Sequence, residues 1–221
     1  RLEGELSIAA STVPQSHILP HLLTAFSLRY PQVTFRLNQH DSRGVVQAIT
    51  SNTTDFGFVG TNVCSSELEA VELCRGRLVI IAPPKGKFAE RAEESLTWDE
   101  VRGEKFILRE EGSGGRTIFV KALEERGLSL GDLQVIATME NPETIKQCAM
   151  AGLGVAVLSE LCVQEEVKLG LLRAFSLQGF DLTQRFYFVH HRNRVLCPVA
   201  RAFKEFTLEQ AGFLPGSCAQ R

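Results

Sequence analysis

Apolar residues fall along the chain in short bursts whose spacing switches between two periods, and those switches predict the elements. Leu6 to Ala10 is an apolar strand, interrupted by Ser11, Thr12 and Pro14; Ile18, Leu19, Leu22, Leu23 and Phe26 then recur at helical spacing on one face. Tyr30-Pro31 stops that helix, and Val33, Phe35 and Leu37 alternate with Thr34, Arg36 and Asn38 as a half-buried strand should. A second helix carries Val45, Val46 and Ile49, and Phe56-Gly57-Phe58-Val59 is the next strand. A βαβαβ order predicts a parallel sheet with helical crossovers.

The apolar run from Leu78 to Ala82 ends at Pro83-Pro84, which removes two backbone donors and marks a candidate domain boundary. Beyond it the pattern restarts. Thr97-x-x-Glu100 matches a capping box, Phe106-Ile107-Leu108 is a strand, and Gly112-Ser113-Gly114-Gly115 leads into a helix ending near Gly127. Leu133 to Thr138 is a strand, Asn141-Pro142 supplies a cap and a first-turn proline, the helix runs to Ala151-Gly152, and Val155 to Leu158 is the next strand. Phe186 to Val189 reads as a strand, Pro198 to Leu208 as a helix, and Gly212 to Arg221 as a loose tail. No internal repeat or low-complexity tract is evident.

The 221 residues, 44% of them hydrophobic and 23% charged, suffice for one large domain or two smaller ones. No stretch approaches the ~18 consecutive apolar residues of a membrane span, which predicts a soluble protein with no membrane partner. Lys and Arg number 24 against 26 Asp and Glu, so this chain by itself lacks the cationic excess that nucleic-acid binding needs. Arg192, Arg194, Arg201 and Lys204 read as a solvated face. The six cysteines (Cys64, Cys74, Cys148, Cys162, Cys197, Cys218) have no metal-ligand spacing and read as reduced thiols of a cytoplasmic protein, or simply as small core hydrophobes. The chain opens on Arg1-Leu2-Glu3-Gly4 with no secretory pattern, and the expectation is a segment cut from a longer protein.

Three turns combine a strand end, a hydroxyl or glycine and a following helix: Ser11-Thr12, Ser113-Gly114-Gly115-Arg116-Thr117, and Asn141-Pro142-Glu143-Thr144. In parallel sheets such turns lie at the carboxyl ends of strands, where ligands bind. A helix start exposes unpaired N–H groups and carries roughly half a positive charge, so each turn can hold an anion. Each also has a plainer reading: Ser11-Thr12 and Asn141-Pro142 as helix caps, and Arg116 either gripping an oxyanion or pairing with Glu110 or Glu111. Catalysis finds less support. His17 and His21 have the i, i+4 spacing of metal ligands but no third ligand, His190-His191 has no partner nearby in sequence, and Ser113 is not in a Gly-x-Ser-x-Gly elbow. The glycine turn lacks a P-loop lysine. No catalytic residue, metal or cofactor is expected.

Gly4-Glu5-Leu6-Ser7-Ile8-Ala9-Ala10-Ser11, then Ile18-Leu19-Pro20, Phe26 and Tyr30-Pro31, resembles the opening of the effector-binding domain of LysR-type transcriptional regulators. Asp55 to Gly60 resembles the family's strand ending in glycine, Arg109 to Gly114 with Arg116 its second-lobe loop, and Ala151 to Leu158 its late glycine motif. The ordered set covers nearly the whole chain. The resemblance implies an α/β, two-lobed periplasmic-binding-protein-like (type 2) fold, each lobe a mostly parallel sheet flanked by helices and joined by two crossing hinge strands. Lobe I would be residues 1–81 plus 185–221 and lobe II residues 82–184, with Ile80-Ile81-Ala82 and Phe186-Tyr187-Phe188 as hinges and a small anionic effector between the lobes. The contacts it implies are Ser11, Thr12, Thr61, Ser113, Gly114, Gly115, Arg116, Asn141 and Thr144. Many relatives have Thr where this chain has Gly115. The resemblance further implies a winged helix-turn-helix ahead of this region that binds DNA. It also implies a homodimer, or a tetramer at full length, using Ile18 to Leu28 and Val33 to Leu37, and no enzymatic activity. The rival is a secreted solute-binding protein of a transporter, which would need an export signal and tolerance of oxidation; six unpatterned cysteines lean against it.

Overall fold

A computed structural model of the chain describes residues 2–211 and residue 214. Strand β1 (Gly4–Ala10) lies between β2 (Val33–Gln39) and β3 (Phe56–Val59) and runs parallel to both, which buries it from Leu6 inward except at Ser7. Parallel neighbours cannot be joined by a tight turn, so helices make the connections. A π-helical turn at Pro14–Ile18 runs into α1 (Leu19–Arg29) between β1 and β2, and α2 (Ser42–Thr50) links β2 to β3. On one sheet face Phe26 of α1 meets Phe203 and Phe206 of α7 (Pro198–Glu209), with ring centroids 5.1 and 5.3 Å apart. On the other, α2 sits so close that a Cβ at Gly57 would stand 2.5 Å from Val45 Cγ1 and 2.6 Å from Ile49 Cδ1. Only glycine admits that approach. Strand β10 (Thr183–His191) completes this sheet antiparallel to β3, setting Phe188 against Phe58 and His190 against Phe56.

The second sheet is built on β6 (Lys105–Arg109), parallel to β7 (Gln134–Met139) on one side and to β8 (Val155–Ser159) on the other. The last residues of β4 (Leu68–Ala82) pair antiparallel with β8 and with β9 (Arg173–Leu177), and β9 also takes the short β5 (Ser95–Leu96). Helix α4 (Gly114–Glu124) follows β6, and α5 (Pro142–Ala151) follows β7. Phe106 and Phe119 stack at 5.9 Å in a core with Leu78, Ile80, Leu108, Val157 and Phe175. The short helices α3 (Trp98–Val101) and α6 (Gln164–Lys168) lie in the connections. Among the described residues no helix is long and apolar enough to cross a membrane.

The chain divides into two compact units, Arg1–Gly76 with Arg185–Arg221, and Arg77–Gln184. The divisions between the units fall at Gly76/Arg77, five residues before the 81/82 boundary read from sequence, and at Gln184/Arg185, the position read from sequence for the second boundary. Pro83-Pro84 ends a strand that already belongs to the second unit, since Ile80 pairs with Val157 and Phe175. Phe188, placed in a hinge by sequence, pairs with Phe58 inside the first unit. The run Leu78 to Ala82 is the apolar end of the 15-residue β4. The helix starts and stops hold to within a residue or two, and Thr97 and Glu100 form the capping box. The tail from Gly212 lies outside the described residues except for Leu214, and Cys218 lies outside them too.

Two of the four cations read as a solvated face are structural. Arg192 Nε donates to Leu68 O at 3.0 Å. Arg194 donates to Thr54 O and Ile49 O, each at 2.8 Å, and to the Asn52 side chain, closing the carbonyl end of α2. Replacing Arg194 with Ala takes the guanidinium donor from the Thr54 carbonyl, while Ile49 O keeps its bond from Asn52 N at 3.1 Å, and a loss of about 1–3 kcal/mol in urea unfolding is expected; an unchanged midpoint would contradict the anchor.

His190 is 2% exposed. Its Nδ1 lies 3.2 Å from His191 O and its Nε2 3.6 Å from Glu69 Oε2, with Lys204 and Arg192 also nearby. Burial, reinforced by Lys204 and Arg192, lowers its pKa below the usual 6.5. The unfolded chain then takes up the proton first, so the stability that neutral His190 supports is present above about pH 6.5 and declines as pH falls toward the folded pKa. Unfolding free energy measured between pH 7 and 5.5 should show that decline in the parent and a flatter profile in His190→Phe; parallel profiles would contradict it.

Candidate functional site

The parallel strands of the first unit end at Ala10, Gln39 and Val59. Ser11 continues β1: its N–H donates to Phe58 O at 3.0 Å, and its carbonyl accepts from Gln15 N at 3.0 Å as the helical stretch begins. No side chain caps that start, and the hydroxyls of buried Ser11 and half-buried Thr12 have no hydrogen-bond partner among the described residues. The cap reading of Ser11-Thr12 is therefore not realised by either hydroxyl. Thr61, two residues beyond β3, is likewise half-buried with an unengaged hydroxyl. At the end of β2 the situation differs, because Asp41 Oδ1 accepts from Gly44 N at 2.7 Å. The start of α2 thus holds a carboxylate of its own.

In the second unit the strand ends lead into α4 and α5, and the two helix starts differ in charge. Ser113 is buried as the N-cap of α4, its Oγ accepting from Arg116 N at 3.4 Å, and Gly114 and Gly115 form the first turn. Arg116 pairs with neither Glu110 nor Glu111. Its Nη1 donates to Arg109 O at 2.8 Å. Glu110 is taken by Arg109 in a fork of two bonds, 2.8 Å from Nε and 2.9 Å from Nη2. Arg116 is left half-exposed, with no carboxylate forming an ion pair with it among the described residues.

The start of α5 is already occupied. Asn141 Oδ1 accepts from Glu143 N at 2.8 Å, the cap arrangement. Lys146, 9% exposed, lies between Glu143 Oε2 at 2.8 Å and Glu166 Oε1 at 2.6 Å. Burial works against its charge, but the two carboxylates outweigh it and hold the pKa above the ordinary lysine value. The hydrogen bonds from Lys146 and Gln147 hold the Glu143 carboxyl below its usual range. Two carboxylates against one ammonium leave a net negative charge at this turn, which repels an incoming anion. Thr144 sits exposed on the same turn.

Sequence reading missed Lys146 and Glu166 as members of this region. The Lys146–Glu166 pair spans 20 positions and has no local pattern; only the apolar spacing of α5, which puts Lys146 beside Ile145 on the buried side, hinted at it. Cys162 is near Arg109 and Lys146, yet burial pushes its thiol up to about 11, and burial with Glu72 pushes Cys74 up to about 12. Neither is a thiolate at neutral pH. Cys64 and Cys197 are exposed, unlike core hydrophobes, and Cys64, Cys74, Cys148, Cys162 and Cys197 are all free thiols. Among the described residues no group of three potential ligands could hold a metal ion, and His17 and His21 form no such group.

Glu166 is the more enclosed partner of Lys146, with a side chain 17% exposed against 57% for Glu143. Glu166→Gln should cost about 1.5–3 kcal/mol by removing a charge-assisted bond and leaving the buried ammonium only the exposed Glu143, and Glu143→Gln about 1 kcal/mol or less, in paired chemical denaturation curves. Equal losses would contradict this assignment.

A family model described as the LysR substrate binding domain matches residues 1–212. The chain is 32% identical over 209 residues to the RuBisCO operon transcriptional regulator of Allochromatium vinosum, covering 94% of this chain and 67% of that protein. It is 31% identical over 204 residues to an uncharacterized HTH-type transcriptional regulator of Methanocaldococcus jannaschii, covering 92% of this chain and 68% of that protein. It thus spans about two thirds of the length of these relatives, and they do not favour a secreted solute-binding protein. Two solved structures are similar in fold. The effector binding domain of QuiR in complex with shikimate has a TM-score of 0.85 at 14% identity, covering 96% of this chain and 99% of that one. The Synechocystis PCC6803 CcmR regulatory domain in complex with 2-PG has a TM-score of 0.83 at 22% identity, covering 95% and 98%. The α/β fold is that of these two-lobed, periplasmic-binding-protein-like domains, and the chain belongs to the LysR substrate-binding domain family, the effector-binding part of LysR-type transcriptional regulators.

Proposed function

We propose that this domain senses a small anion, held in the second unit by the start of α4. The observation that carries this reading is charge balance. Of the helix starts after β2, β6 and β7, α2 carries Asp41 and α5 carries Glu143, whereas α4 carries only neutral Ser113 and the unpaired cation Arg116. In support, the QuiR and CcmR domains are bound to shikimate and 2-PG. Asn141 and Thr144 belong to a turn already filled by its own carboxylates and lie outside this site.

Two or three hydrogen bonds to a charged ligand contribute about 1.5–3 kcal/mol each, a partly buried helix start up to about 2 kcal/mol, and association costs at least about 4 kcal/mol. The remainder corresponds to micromolar to millimolar affinity, which suits a sensor. Binding acts by its differential affinity for two arrangements of the regulator. That regulator is a homodimer, or a tetramer at full length, and contacts DNA through a winged helix-turn-helix ahead of this domain. Leu28 on α1, 82% exposed, and Leu37 on the edge strand β2 offer apolar surface for pairing.

Thermal unfolding in a panel of carboxylates and oxyanions should show stabilisation that grows with ligand concentration. Ser113→Ala and Arg116→Ala should each weaken the responding anion by about 1–3 kcal/mol. No shift with any anion at tens of millimolar, or unchanged affinity in both variants, would contradict the site.

A further inference from the structure

No further inference is drawn: the strongest candidate, the free edge of the second sheet at β7 with its exposed Val135 and Ile136, carries nothing, because nothing in the structure shows what covers it.

Discussion

A strand lying parallel to its predecessor can be reached only by a crossover, and that constraint fixes where this chain can do chemistry. Each crossover helix begins at the carboxyl edge of its sheet and points unpaired N–H groups there. In the first unit this happens after β1 and β2, in the second after β6 and β7. The fold therefore supplies several partial positive charges at strand ends regardless of sequence. What separates one start from another is the set of side chains placed over it. Asp41 occupies α2, Asn141 and Glu143 occupy α5, and α4 is left with a serine cap and two glycines.

The vacancy at α4 is itself a consequence of pairing elsewhere. Arg109 is buried and would carry a severe desolvation cost alone, so it takes the adjacent Glu110 in a two-bond fork. That removes the carboxylate nearest Arg116, whose guanidinium is then steadied by a single bond to the Arg109 carbonyl. The remaining donors stay free and positioned. The same logic run in the opposite sense closes α5, where buried Lys146 draws in two carboxylates and leaves the turn negative. Local charge compensation thus sets apart turns that backbone geometry makes equivalent, leaving α4 without a carboxylate in its first turn.

Much of the fold was legible in the chain because its strongest signals are local. The alternation of Val33 and Phe35, the helical recurrence through Phe26 and the stop at Tyr30-Pro31 each depend on a few neighbouring residues. The first half of β4 was hidden because Glu69, Glu72 and Arg75 interrupt any apolar run there, and β9 gains its identity from β4 and β5 rather than from its own pattern. The same limit applied to the site. Ser113, Gly114 and Arg116 stood out as a turn, but the partners of Arg116 and the burial of Lys146 beside Glu166 arise from tertiary contacts that no spacing encodes. Arg194, read as a solvated cation, turned out to hold carbonyls more than 140 positions away.

The central claim, that the α4 start is open to an anion where the α2 and α5 starts are not, is tested most directly by following backbone amide resonances during titration with inorganic phosphate. The account predicts that the amides of Gly114, Gly115 and Arg116 move in a saturable way while those of Glu143 and Thr144 on α5, and of Arg43 and Gly44 on α2, stay in place. Movement at α5 or α2 with α4 silent would contradict it.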